Sequence, residues 1–274
     1  MRKGQNLMLN SRGVALIIVL LVTALLIALI FEFAYGTRVS LRAAANYRNS
    51  QRAYFLARSG FGVFARFPEL RNYYEPGKLE VVPYVTEGDK VLQIMWEDEE
   101  SKINVASNTS ETLNRLEKLF DILQIDPGKF DQIRRWMAEA RRGFYLLTEL
   151  HRFLSDEEYT KVAPFLTVYS SSQNALNAQN APKKININTA TETVLNSVIS
   201  ARNNPNISLS TILSKRKEHP YGSGDIGTDL SADFMPSSNV FKIYSQATCG
   251  GFTKQIEAVI DLTNSKVPLY WRAL

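Results

Sequence analysis

The stretch from Val14 to Phe31, VALIIVLLVTALLIALIF, runs for 18 residues without a charge, and Thr23 is its one polar side chain. A surface helix of a soluble domain needs a polar face, and this segment has none. At about 1.5 Å per helical residue it covers about 27 Å, against roughly 30 Å for the hydrocarbon core of a bilayer. It can cross a membrane, at the short end of the usual range.

Three readings compete for this run. A cleaved secretory signal needs a shorter apolar region followed by small residues at the cut. Ala34 and Gly36 offer such a pair, but Phe31, Glu32, Phe33 and Tyr35 make a poor approach to it. A plain anchor explains the hydrophobicity and nothing beside it. The third reading uses the flanks. Arg2, Lys3 and Arg12 lie in a short leader with no acidic residue, the leader ends in Gly13, and the apolar run starts on the next residue. Helical texture then continues, with no proline before Pro68. A helix from Val14 to Phe67 would be about 80 Å long, half in the membrane and half outside.

On the outer half, Val39, Ala43, Tyr47, Tyr54, Phe61 and Phe64 recur at helical spacing, with Arg38, Arg42, Arg48, Arg52 and Arg58 between them. Such a stripe predicts a folded domain packed back against the stem. Gly36, Gly60 and Gly62 each weaken a helix and predict local bends. Basic residues on both sides of the apolar run leave its orientation unset by charge.

Composition narrows the function classes. The chain is 45% apolar and 22% charged, the balance of a folded protein. Its net charge of +5 falls to +2 once the leader's three basic residues are set aside, leaving 29 basic against 27 acidic. One cysteine, Cys249, excludes an internal disulfide, and two distant histidines, His151 and His219, argue against a zinc site or a histidine-based triad. The expectation is a non-enzymatic protein.

Past Pro68 the texture becomes strand-like. Leu79 to Val85 and Val91 to Trp96 flank Glu87-Gly88-Asp89 as a hairpin, and strands return only near the C-terminus. There Phe241, Ile243, Ser245 and Ala247 alternate with polar residues, Gly250-Gly251 forms a turn, and Phe252 to Asp261 forms a second run, with Val267, Leu269 and Trp271 as a last strand. Between these groups the periods are helical, including Leu113 to Leu123, Phe130 to Met137, Leu146 to Leu154, Tyr159 to Leu166 and Val194 to Leu213. Ser170 to Lys184 has almost no apolar side chains and reads as a surface crossing. The predicted class is α+β: a long transmembrane and stem helix, then a small antiparallel sheet split by a large all-α insert. The divisions are 1–13 (leader), 14–67 (helix), 68–100 (first sheet part), 101–230 (insert) and 231–274 (second sheet part).

Lys102-Ile103-Asn104-Val105 before Asn108-Thr109-Ser110-Glu111 is echoed by Lys184-Ile185-Asn186-Ile187 before Asn188-Thr189-Ala190-Thr191-Glu192. Each copy is an extended piece entering a helix. Asn108 with Glu111, and Thr189 with Glu192, have the spacing of capping boxes, structural features worth about 1 kcal/mol each. Asp98, Glu99 and Glu100 read as a solvated charge run.

A basic leader ending in glycine, an apolar segment directly after it and one long continuing helix resemble the signal of type IV prepilins and type II secretion pseudopilins. The resemblance implies cleavage by prepilin peptidase after Gly13 and N-methylation of Val14. Most members carry glutamate at the fifth mature position. Ile18 stands there in this chain, as in the K-type minor pseudopilins, which are proposed to sit at the filament tip. KININTATETVL, with Ile212-Leu213, Arg216 and Pro220-Tyr221-Gly222-Ser223 downstream, is similar to the segment closing the helical insert of that family, and Phe144 to Leu166 resembles an earlier part. The family usually has Asp-Trp-x-Asp-x-Asp where this chain reads Arg135-Trp136-Met137-Ala138-Glu139-Ala140-Arg141-Arg142. Calcium takes six to eight oxygens, so no metal and no cofactor are expected. The resemblance further implies a single-pass inner-membrane protein with a periplasmic C-terminal domain. Its implied role is to initiate or cap the pseudopilus, with I-type and J-type minor pseudopilins, the major pseudopilin and prepilin peptidase as partners.

KININTATETVL also resembles helix-hairpin-helix DNA-binding modules, which makes a membrane-anchored DNA receptor one alternative; a minor pilin of another type IV filament system is a second. Those modules grip phosphate through backbone N–H groups at a glycine turn. Ser200 to Asn206 has no glycine and includes Pro205, so no nucleic acid is expected. Gly222 to Gly227 fits G-x-G-x-x-G but lacks the strand before and helix after that the dinucleotide motif needs.

Overall fold

The computed structural model describes residues 11–66, 80–88, 90–171, 183–202, 207–264 and 268–274. Helix α1 runs unbroken from Ser11 to Arg66, 56 residues or about 84 Å. It begins three residues before Val14, and none of its glycines interrupts it. Gly36, Gly60 and Gly62 leave the helix unbroken, because a lone glycine costs it only up to about 1 kcal/mol when its neighbours are strong formers.

The small sheet has five antiparallel strands in the order β1 (Glu80–Glu87), β2 (Lys90–Asp98), β7 (Val240–Cys249), β8 (Phe252–Asp261) and β9 (Tyr270–Ala273). Gly250 and Gly251 join β7 to β8 with φ of 53° and 80°, the positive values that a tight hairpin of this hand demands. The upper half of α1 lies across one face of this sheet. Ala53 is fully buried there, and Ala57 and Phe64 share one core with Leu92, Ile94 and Trp96. Phe64, Trp96 and Phe241 stack in a triangle with ring centres 5.4 to 5.9 Å apart. The apolar stripe read from the sequence is therefore covered only in its upper part; Val39 and Tyr47 remain 48% and 69% exposed.

Between β2 and β7 the chain builds a second body with its own core, including Leu116, Phe120, Ile133, Met137, Leu195 and Val198. Its helices are α2 (Ser110–Leu123), α3 (Pro127–Ala140), α4 (Asp156–Val162), α5 (Glu192–Arg202) and α6 (Leu209–Glu218). Leu147–Arg152, expected to be α-helical, forms a 3-10 turn. This body is not purely helical. Strand β3 (Ile103–Asn104) pairs in parallel with β4 (Leu166–Thr167), and β5 (Ile185–Asn186) pairs in parallel with β6 (Phe234–Met235).

These two ladders give the sequence echo its structural meaning. In the first copy Asn104 Oδ1 accepts from Ala106 N at 2.9 Å, and Val105 N donates to Thr167 O at 2.9 Å. In the second, Asn186 Oδ1 accepts from Asn188 N at 3.1 Å, and Ile187 N donates to Met235 O at 2.9 Å. Each Ile-Asn pair is a two-residue strand whose asparagine side chain makes the turn into a helix. The partner strands, two residues long, carry no period by which sequence could reveal them. Most of the Ser170 to Lys184 crossing, part of the Ser200 to Asn206 turn, and Val267 fall outside the described residues.

Candidate functional site

The lower half of α1 is a bare apolar rod. Leu16, Ile17, Ile18 and Leu20 are 57% to 64% exposed, and Phe31 and Phe33 are 71% and 78% exposed. Among the described residues this is the one helix long and apolar enough to cross a membrane. Gly13 and Val14 sit in its first turns with open space around Gly13, and Ile18 lies on the same uncovered surface.

Where β2 ends, three consecutive carboxylates form the seam between the sheet and the helical body. Asp98, Glu99 and Glu100 are 0%, 3% and 3% exposed, which corrects their reading as a solvated run. Asp98 Oδ2 accepts from Asn186 Nδ2 at 2.9 Å, Thr189 Oγ1 at 2.5 Å and Ser238 Oγ at 2.6 Å, while Oδ1 accepts from Glu100 N at 2.8 Å. Glu99 accepts from Lys102 Nζ at 3.0 Å and Thr167 Oγ1 at 2.5 Å. Glu100 accepts from Ser171 N at 3.1 Å and Asn239 N at 2.7 Å. Charge runs are solvated only when nothing folds over them; here strands β4 and β5 and the approach to β7 all bring donors. Burial pushes the Asp98 carboxyl up to about 6, against the opposing pull of its hydrogen bonds from Ser238, Thr189 and Asn186, with the Glu100 charge adding to the rise.

These carboxylates are spent on protein donors. Among the described residues no group of three or more His, Cys, Asp or Glu side chains is placed to hold a metal ion. A second polar tie lies deeper in the helical body, where Asp233 pairs with both Arg115 (2.6 Å) and Arg202, locking α2 and α5 to the residue before β6.

The helix caps differ from those the spacing predicts. Thr109, not Asn108, caps α2, its Oγ1 accepting from Thr112 N at 3.2 Å. Asn108 Nδ2 instead donates to Met137 O at 2.9 Å, near the end of α3, and Glu111 lies in the first turn of α2 beside Ser110. Helix α5 begins at Glu192, so Thr191 precedes it and its Oγ1 accepts from Val194 N at 3.4 Å. Thr189 turns to Asp98. Adjacent Asn, Thr and Ser residues offer several acceptors within one turn, and spacing alone does not say which one the backbone uses.

Basic side chains of the helical body are engaged internally. Arg216 donates to the carbonyls of Ile187 and Ala190 at 3.2 and 2.7 Å, and Lys215 pairs with Asp225 at 2.9 Å. Arg142 lies 4.8 Å from the Trp136 ring and 4.2 Å from that of Tyr145 and pairs with Glu149 at 3.1 Å. Gly222 to Gly227 forms a loop around a 3-10 turn, Ser223–Asp225, with the Asp225 carboxylate accepting from Gly222 N. Cys249 is buried at the end of β7.

No family model matches the chain, and no curated protein matches it. Among solved structures it is similar to a chain of the GspK-GspI-GspJ complex from the type 2 secretion system of enterotoxigenic Escherichia coli. That match has 12% identity and a TM-score of 0.52 over 86% of this chain and 99% of that one. At this identity the likeness concerns the fold, which is α+β and pseudopilin-like: a long apolar N-terminal helix, a small antiparallel sheet and further helices.

Proposed function

We propose that this chain is a minor pseudopilin of the type II secretion system, of the K type, which initiates or caps the periplasmic pseudopilus at its tip. The observation that carries the reading is the division of α1. Its first half offers an uncharged run of 18 residues, apolar except for Thr23, to a membrane or to similar rods, and its second half is the spine of a sheet bearing a large helical body. A rod so exposed is stable only in lipid or among other apolar helices.

Processing would cut after Gly13 and methylate Val14, leaving a helix that starts in apolar residues. Ile18 at the fifth mature position brings no buried carboxylate, which suits a subunit with no neighbour ahead of it to neutralise. The bulk of the helical body favours the tip over the filament body. The partners on this reading are I-type and J-type minor pseudopilins, the major pseudopilin and prepilin peptidase. The location is the inner membrane, with the head in the periplasm. The protein's work is assembly, without chemistry of its own.

The test is the mass of the amino terminus of protein purified from membranes of cells carrying a prepilin peptidase. Methylated Val14 supports the reading, and Gly13→Ala is expected to keep the leader. A chain that starts at Met1 or Thr37 would sink it.

A further inference from the structure

Helix α1 passes from the bare rod to the head through a neck. Asn49 packs beside Gly250 at the β7–β8 turn, and Ala53 is the first fully buried residue of the helix. From Phe31 to Asn49 the helix rises about 27 Å. Over most of that length its side chains are exposed, including Phe33, Tyr35 and Leu41 at 78%, 72% and 65%.

The neck is charged in one sense. Between Val14 and Arg66 there is one acidic residue, Glu32, and there are six arginines, Arg38, Arg42, Arg48, Arg52, Arg58 and Arg66. Among the described residues none of the six has an ion pair or a side-chain hydrogen bond. On the proposed function the head faces away from the cytoplasm, so Arg38 and Arg42 lie on the side of the bilayer where basic residues next to a spanning helix are disfavoured. Their presence there calls for a local anion.

Resting on that reading, we propose that Arg38 and Arg42 form a clamp for the phosphate groups of anionic phospholipids in the leaflet beneath the head. The two are four residues apart, so their side chains leave one face of the helix with Cβ atoms about 5–6 Å apart. Helical side chains lean toward the N-terminus, which here means back toward the membrane. Arg38 stands about 10 Å and Arg42 about 16 Å beyond Phe31 along the axis. The polar layer of a bilayer extends roughly 5–8 Å past the hydrocarbon; with stems that reach down about 6 Å, the guanidinium of Arg38 enters this layer and that of Arg42 comes to about 10 Å, within hydrogen-bonding distance of its outer edge. Phe33 and Tyr35 occupy the same layer as aromatic anchors. A planar guanidinium grips phosphate with two parallel hydrogen bonds, and two of them on one face hold a shared or neighbouring phosphodiester. Arg48 and Arg52, about 25 Å or more beyond Phe31, are out of reach and provide an internal control. The clamp fixes the height of the head above the membrane while the subunit waits to assemble.

The experiment uses the full chain, purified in detergent with equal parts phosphatidylglycerol and phosphatidylcholine. Retained lipid is counted by native mass spectrometry, and the amino terminus is read from the same spectra. The wild-type protein is expected to prefer phosphatidylglycerol by roughly tenfold. Arg38→Gln with Arg42→Gln should bring the ratio to near one, and Arg48→Gln with Arg52→Gln should leave it unchanged. Inorganic phosphate at matching concentration should fail to displace the lipid; if it does displace it, the clamp is a site for free phosphate and the lipid assignment falls. Equal retention of both lipids by the wild-type chain, or an equal loss in the two double variants, overturns the clamp while leaving the membrane reading intact. Retention of no lipid of either kind overturns both. An amino terminus at Met1 overturns the pseudopilin reading and leaves a lipid preference at Arg38 and Arg42 standing.

Discussion

The hydroxyl of Ser238 donates to Asp98 Oδ2 across 2.6 Å and 140 residues of chain, tying the last residue of β2 to the approach of β7. Everything between them is the helical body, so the sheet closes on itself only if that body delivers its two ends to one point. Asn186 and Thr189, from inside the body, donate to the same carboxylate oxygen. Asp98→Ala leaves these donors buried without that acceptor, at roughly 1–3 kcal/mol for each group stranded. The expected result is a loss of at least about 3 kcal/mol in unfolding of the full chain in detergent. A loss below about 1 kcal/mol would show that water replaces the carboxylate and that the seam is loose.

The same residue should give this protein an unusual response to pH. With its folded value at about 6 against an ordinary 3.8, Asp98 binds its proton more tightly in the folded chain than in the unfolded one. Between those two values the unfolded state carries fewer protons, so the contribution of this group to stability falls as pH rises through the window. The full effect is roughly 3 kcal/mol, favouring the acid side. Comparing unfolding midpoints at pH 5 and pH 7 should show the wild-type chain gaining at pH 5 relative to Asp98→Asn, which has no proton to bind. Equal changes in both proteins would mean that the carboxylate is solvated.

Stem and sheet come close together at Gly60 and Ser245. A Cβ on Gly60 would run into the Ser245 hydroxyl, and that hydroxyl is buried without a hydrogen-bond partner among the described residues. Ser245→Ala should therefore stabilise the protein by about 1 kcal/mol, since it removes a stranded polar atom and keeps the packing. Gly60→Ala alone should cost about 2–3 kcal/mol by overpacking. The double variant should recover much of that loss, and urea unfolding of the four proteins forms the cycle. Simple additivity would show that the two sites do not touch.

Gly60 also shows where sequence reasoning stops. Periodicity located the long helix, the hairpins around Gly88 and Gly250, and the helical character of the middle, because each is set within a dozen residues. A glycine in a helix reads locally as a weak point, and its actual role as the contact for a strand residue 185 positions away (Ser245) has no local signal. The carboxylates at 98–100 fail for the same reason: alone they are a charge run, and most of their donors come from 68 to 140 residues later. The Ile-Asn echo was visible, and its partner strands were not, because two residues are too few to carry a pattern. What remained legible of the assembly surface was the apolar rod, whose signal is entirely local.

Past the end of α3, the chain at Gly143 packs against the segment that follows β3. Phe144 N donates to Val105 O at 2.9 Å, so the chain at Gly143 runs directly against β3's continuation. A Cβ there would strike the backbone of Val105 and Ala106, which cannot swing aside as a side chain can. Gly143→Ala must therefore push the two segments apart, breaking that hydrogen bond and opening the core around Phe144, which is fully buried and stacked 4.9 Å from Trp136. The expected cost is about 3 kcal/mol or more, read from unfolding of the full chain and from faster exchange of the Phe144 amide. Gly227→Ala, with open space around it, should change stability by less than about 0.5 kcal/mol. If the two substitutions prove equally mild, Gly143 does not press on the backbone of Val105 and Ala106.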